Sequence, residues 1–338
     1  MALPRHDVLR LLRRATFVGL GYFICAGIGV SLPVQPQGIA SFWPASGLLV
    51  GALVISRMQS WPLILIAVLT ATLAINLLMG KSPGVSLAFA SVNSLEGFTG
   101  AWLLLRCCGP RPRMTRVRNV LGLVVLAGLA SPALASTLAT VVVVTEVGAS
   151  YFWHLWSTWW VADMLGVLMV APLILSWSDA RAATLKAASA PRIAEAILLV
   201  VATLLVAVLV FGAESQSTSM LVSLPYLTFP FLLWAAMRFG PLGASAAPLG
   251  LAVVAVWSTA QGLGPFAMAG ASVRARPLRA GLSRRLDPYR PDLSCDPVRA
   301  SAHSGSLTAA EHICALAPEG RRRGERGFDR RGCDADLP

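Results

Sequence analysis

Ala194 to Phe211 reads AEAILLVVATLLVAVLVF, with a single ionisable side chain, Glu195, and neither Gly nor Pro. A strand of a membrane barrel alternates lipid-facing and lumen-facing residues with period two. This run does not alternate. A hydrocarbon core of about 30 Å needs roughly 20 apolar residues in helical form to cross it. Backbone N–H and C=O groups in lipid have no water to bond, so an isolated spanning segment must satisfy them internally, as a helix does. The run is therefore read as a transmembrane helix.

Similar stretches recur on both sides. The spans expected run roughly over 15–34, 39–56, 61–79, 85–105, 119–144, 153–177, 193–212, 219–237 and 242–260. Nine is the expected count and eight the nearest rival, because the hairpins at 39–79 and 219–260 have tight turns. The fold class is all-α: a polytopic integral membrane helix bundle. Arg10, Arg13 and Arg14 precede the first stretch, and Pro33 and Pro36 follow it without a clear small-residue cleavage site. It is read as an uncleaved first span rather than a signal peptide.

Composition agrees. Of 338 residues, 56% are hydrophobic and 13% charged, too few charges to coat a soluble enzyme. The net charge of +12 divides unevenly. Residues 1–270 carry 15 Lys/Arg and 7 Asp/Glu; residues 271–338 carry 13 Arg, no Lys and 9 Asp/Glu. The chain is thus divided into a cytoplasmic segment (1–14), a membrane region (15–270) and an Arg/Pro-rich tail (271–338) without a plausible core, expected to be disordered or the product of a frameshift. Only Tyr289 and Phe328 interrupt that tail as aromatics, so nucleic acid is not an expected partner.

Cytoplasmic loops of membrane proteins are enriched in Lys and Arg. With the N-terminus in the cytoplasm and nine alternating spans, 14 of the 15 basic residues of the membrane region fall on the cytoplasmic side, and only Lys81 does not. Trp43, Trp153 and Trp156 then lie near outer span ends, and Trp61, Trp102, Trp177 and Trp234 near inner ones. These are expected to be anchors at headgroup level. Gly47 with Gly51, and Gly243 with Ala247, form pairs of small residues that let helices approach closely.

Ionisable side chains at membrane depth are costly and mark functional candidates. Asp163 follows Trp159 and Trp160 within about one turn. Glu96 lies three residues after Asn93, on the same helix face. Asn76 and Thr137 add uncharged polar sites. Three uses are open: cross-helix hydrogen bonds that hold the bundle together, a ligand or ion site built from Asp163 and Glu96, or a proton path. The candidate ligand-sensing residues are Asp163, Trp159, Trp160, Glu96, Asn93 and Asn76. Arg238, in Met237–Pro241, is read as a cytoplasmic turn residue. No catalytic chemistry is visible. His6, His154, His303 and His312 form no metal-ligand motif, and the six Cys form no disulfide framework. No metal and no cofactor is expected.

The order of several motifs resembles one family. Phe42-Trp43-Pro44-Ala45-Ser46-Gly47 opens one span, and Trp61-Pro62 opens the next, which ends Ala74-Ile75-Asn76-Leu77-Leu78. Trp159-Trp160-Val161-Ala162-Asp163-Met164-Leu165-Gly166 closes on Ala171-Pro172-Leu173. Phe229-Pro230, Arg238-Phe239-Gly240 and Gly264-Pro265-Phe266 follow. Together, over roughly 15–270, they resemble the bacterial membrane-associated sensor domain of the first type (the MASE-one family). The resemblance implies a sensory input module of the bacterial inner membrane that performs no chemistry itself. It would normally be coupled to a histidine kinase of a two-component system or to a cyclic-di-GMP output domain. The family supplies no catalytic residues. The expected partners are membrane lipid, an unknown small-molecule or membrane signal, and an output protein in trans or a second copy of the chain. The sequence departs from the family after Gly264-Pro265-Phe266, where a last span and an output domain would follow. A truncated or frameshifted sensor is the expectation from that change, with a genuine short protein as its rival. A small transporter or channel, with Asp163, Glu96 and Asn76 along a pathway, is the alternative function.

Overall fold

A computed structural model describes residues 5–31, 33–34, 39–40, 42–179, 189–212, 225–261 and 263–264. The tail beyond residue 270 lies outside the described residues. So do residues 219–224, the start of one expected span. The described chain is helical apart from one two-residue antiparallel pairing, β1 (Pro33–Val34) with β2 (Ile39–Ala40).

The helices are α1 (Arg5–Ser31), α2 (Pro44–Ile55), α3 (Trp61–Leu78) and α4 (Pro83–Cys108). Then come α5 (Val117–Gly122), which runs through a π-helical stretch (Leu123–Ala130) into α6 (Ser131–Val147), and α7 (Phe152–Asp179). The last two are α8 (Ala190–Phe211) and α9 (Phe229–Ala260). Proline opens several of them, at Pro44, Pro62, Pro83 and Pro132. At the free starts of α2 and α4 its missing N–H has no intrahelical partner to lose, whereas Pro132 follows directly on the π-helical stretch. Ser82 caps α4 by accepting a hydrogen bond from the Val85 N–H at 3.4 Å.

Six helical stretches among the described residues are long and apolar enough to cross a bilayer: Val8–Ser31, Met58–Leu78, Val117–Thr145, Ala149–Asp179, Ala190–Phe211 and Pro225–Thr259. The other three expected spans differ, for separate reasons. α4 is long, but Ser86, Ser91, Asn93, Ser94, Glu96 and Thr99 lower its apolar content. α2 has 12 residues, a length of about 18 Å at 1.5 Å per residue. Residues 229–260 form one helical element broken at Gly240, whose φ of 58° and ψ of −141° are not helical. A Cβ on Gly243 would run into the Ala235 carbonyl, so the chain folds sharply back there. The hairpin expected at Arg238–Pro241 is thus present, and the described part of its first arm begins at Pro225. Nine full-length spans are not what the described residues show.

α2 occupies the centre. Ten of its 12 residues are buried, and it packs on α7, α4 and α1. The main core joins Tyr22 of α1, Leu49, Val50 and Leu53 of α2, Ile64 and Val68 of α3, Leu104 of α4, and Val167 of α7. A smaller cluster joins α4 to α6 through Phe89, Val92, Ala135 and Ala139. α8 packs on α9 around Ala207, Val210 and Phe211. Trp153 and Trp177 are exposed, in keeping with interfacial anchoring. Trp61 is not an anchor: it is buried and its Nε1 donates to the Leu53 carbonyl at 3.0 Å, tying α3 to the end of α2. Arg238 is held by Glu195 of α8, to which its Nε donates at 2.7 Å.

Candidate functional site

Two glycines bring α2 and α7 into backbone contact. A Cβ on Gly47 would strike the Gly166 carbonyl, and one on Gly166 would strike the Trp43 carbonyl. The Trp43 N–H donates to the Ala162 carbonyl at 3.1 Å, which fixes the start of α2 on α7. α4 approaches from another side, where Gly97 leaves room for the Leu49 side chain. Each glycine stands beside a polar residue. Ser46 precedes Gly47, Glu96 precedes Gly97, and Asp163 lies three residues before Gly166, on the same face. Close helix approach therefore places three polar side chains together.

Ser46, Glu96 and Asp163 are 3%, 1% and 4% exposed, respectively. The Ser46 hydroxyl donates to Glu96 Oε2 at 2.9 Å. The same hydroxyl faces the Asp163 carboxyl, which also lies within electrostatic reach of Glu96. The second Glu96 oxygen, Oε1, is buried without a hydrogen-bond partner. Tyr22 of α1 is fully buried, and its hydroxyl faces Thr72 and the Trp43 indole, within electrostatic reach of both carboxyls. Neither the Tyr22 hydroxyl nor Trp43 Nε1 makes a hydrogen bond of good geometry. Buried polar groups are nearly always partnered, so each unpartnered one calls for an explanation.

Depth is set by register. Asp163 lies 11 residues into α7 and Glu96 13 residues into α4, about 17–20 Å along each helix. Ser46, beside both, is only in the first turn of α2. The N-terminus of α2 is therefore embedded at the level of the middles of its neighbours. The start of a helix favours negative charge nearby.

The structure thus brings Asp163 and Glu96 together, with Ser46 between them. Sequence reasoning did not single out Ser46, although it quoted the residue within the Phe42–Gly47 motif. The other candidates stand apart. Asn76 is buried, and its Nδ2 donates to the Thr72 carbonyl one turn back at 3.0 Å. Asn93 is half-buried, one turn before Glu96. Trp159 meets the Phe89 ring edge-on at 5.4 Å. Trp160 stacks on Trp156 at 5.3 Å and donates through Nε1 to the Leu129 carbonyl at 3.0 Å. That carbonyl lies in the π-helical stretch, where the i to i−4 ladder is interrupted. Both Trp side chains are therefore explained by packing of α7 against α4 and the π-helical stretch. Thr137 accepts from Trp156 Nε1 at 3.0 Å. Among the described residues no three His, Cys, Asp or Glu side chains gather to hold a metal.

Comparison with characterised proteins and with solved structures gives no match. The model of one family, MASE1, matches residues 14–276. That match spans most of the chain, including α1 from residue 14, all of α2 to α9 and every residue of the buried site, and this multi-pass membrane protein belongs to the MASE1 family of membrane sensor domains.

Proposed function

We propose that the chain is a sensory input module of the bacterial inner membrane, with its N-terminus in the cytoplasm, and that Ser46, Glu96 and Asp163 form its signal-binding site. The residues expected to tune that site without touching the signal are Asn76, Asn93, Trp159 and Trp160. The observation that carries the reading is the buried Glu96–Ser46–Asp163 cluster with an unpartnered Glu96 oxygen and the unpartnered Tyr22 hydroxyl beside it. Hydroxyls of Ser60, Ser86, Ser136, Thr140 and Ser176 are also buried without a partner, but Glu96 Oε1 is the one carboxylate oxygen among these atoms, and a carboxylate oxygen is the strongest acceptor of the group. Three helices meet at the site, so a bound group that favours one spacing of α2, α4 and α7 shifts their packing. It can do so only through differential affinity for the two arrangements. The output is an attached or separate signalling domain, a histidine kinase or a cyclic-di-GMP enzyme, reached in cis, in trans or through a second copy.

The test joins a diguanylate cyclase domain to the chain at whichever terminus a phosphatase reporter places in the cytoplasm. Cyclase output is then measured across growth conditions. A condition-dependent output that Glu96→Gln and Asp163→Asn both abolish, with the protein still inserted, is expected. Output that varies identically in the wild type and both variants would refute the site. A second reading, a small transporter, draws on α2, a helix that begins inside the bundle, as discontinuous helices of transporters do. Solute flux into vesicles that disappears in Asp163→Asn would favour it over the sensor.

A further inference from the structure

A second site lies at the other end of the same three helices. A cleft of about 650 Å³ opens where α2, α4 and α7 end, lined by Arg57, Arg106, Arg111 and Asp179. Three arginines and a single acidic residue therefore line one cleft. The one ion pair among the described residues is Arg238 with Glu195, elsewhere in the fold, so none of these three is neutralised by a side chain. Like charges gathered in one cleft repel each other, and an anion between them relieves that repulsion.

Their backbones are set by three different elements, while the side chains themselves are exposed. Arg57 sits at the extended corner between α2 and the 3-10 turn Met58–Ser60, with φ −67° and ψ 142°. Arg106 lies in the last turn of α4, where a cation is favoured by the helix dipole. Arg111 stands between Pro110 and Pro112, whose rings restrict the backbone on both sides. Orienting Lys or Arg across a membrane requires no such convergence: Arg113, Arg116 and Arg118, just beyond in sequence, would serve that purpose and do not line the cleft.

The remaining wall is apolar. Val54, Leu105 and Leu175 line it, and Trp102, 43% exposed, stands at its edge. An indole ring belongs at the level of lipid headgroups. A planar guanidinium offers paired N–H donors that match phosphate oxygens. A cleft of this size exceeds one phosphate and falls in the range of small-molecule sites.

The geometry points to a binding site for a phosphate anion carried on a larger, partly apolar molecule, bound by Arg57, Arg106 and Arg111 and opposed by Asp179. The apolar wall and Trp102 suit the headgroup and upper acyl chain of an anionic phospholipid. α2, α4 and α7 also carry Ser46, Glu96 and Asp163, so an occupant would brace the far ends of the helices that meet at the buried site. The inference stands whether or not that buried site binds a signal.

The full chain would be purified in nanodiscs of phosphatidylcholine, and binding of added phosphatidylglycerol followed by native mass spectrometry. Soluble glycerol 3-phosphate and inorganic phosphate form the parallel arms. Saturable binding of one phosphatidylglycerol is expected, weakened at least tenfold in Arg57→Gln/Arg106→Gln/Arg111→Gln. Asp179→Asn should tighten it several-fold, a gain that a misfolded variant cannot produce. Arg113→Gln/Arg116→Gln/Arg118→Gln, which removes as much charge outside the cleft, should leave it unchanged. If the soluble phosphates bind as tightly as the lipid, the same site takes its phosphate from solution. Equal weakening by both triple variants, or no gain from Asp179→Asn, would overturn the proposal.

Discussion

Replacing Gly166 by Ala tests whether the α2–α7 crossing is as close as the structure shows. The added methyl would overlap the Trp43 carbonyl oxygen and stand 2.6 Å from its carbon and 3.3 Å from the Pro44 nitrogen. Carbon atoms in good contact are about 3.5–4.0 Å apart, so α2 must retreat by about 1 Å. Every atom struck is backbone, and no side-chain rotation relieves it. The retreat stretches the Trp43 N–H bond to the Ala162 carbonyl, now 3.1 Å. Losing that bond costs about 1 kcal/mol, and overpacking costs about 1–3 kcal/mol. The sum, about 2–4 kcal/mol, is a factor of roughly 30 to 1000 in the folded ratio. Alanine also gains about 1 kcal/mol over glycine in a helix. Gly27→Ala in α1 isolates that gain, because a Cβ there meets nothing within 4 Å. The purified chain would be unfolded by titrating sodium dodecyl sulfate into mixed micelles, followed by far-ultraviolet circular dichroism. Gly166→Ala should be destabilised and Gly27→Ala slightly stabilised, about 2–4 kcal/mol apart. If the two agree within about 0.5 kcal/mol, below the smallest overpacking cost, the crossing is not a close one.

Ser46→Ala removes the donor to Glu96 Oε2 and should cost about 1–3 kcal/mol in the same titration. Paired with Glu96→Met it should cost less than the sum of the single changes, since the group left unpartnered is gone. Trp61→Phe keeps a ring beside Phe98, now edge-on at 5.7 Å, but loses the bond to Leu53. It should cost about 1 kcal/mol. Arg238→Gln breaks a half-exposed ion pair with Glu195; its small effect on the unfolding midpoint should vanish near 1 M salt, where the screening length is about 3 Å.

Asp163 and Glu96 were legible because a carboxyl in an apolar run is expensive and therefore conspicuous. Ser46 was not. A serine bonds readily within its own helix in any apolar stretch, as Ser94 does to the Ala90 carbonyl, so its residue type carries no comparable signal. What could have marked it is its place in the first turn of a proline-led helix, directly before Gly47. The tryptophans misled in the opposite direction. Trp159 and Trp160 precede Asp163 closely in sequence, yet one turn of helix points them at α4 and at the π-helical stretch. Trp61 looked like an interfacial anchor from its place at a span end, and its indole is instead spent on a buried carbonyl.

Sequence by itself determined that this chain lives in a membrane as helices. Hydrophobic length against bilayer thickness and the absence of water for backbone groups leave no other solution for runs such as Ala194–Phe211. Its ordered motifs also pointed to the family. Only the tertiary structure decided which polar groups meet. α2 is two thirds the length its apolar run suggested and begins level with the middles of α4 and α7. Depth is a relation between helices, fixed where Gly47, Gly97 and Gly166 let them close together. No count along one segment records it, yet that relation sets Ser46 between Glu96 and Asp163.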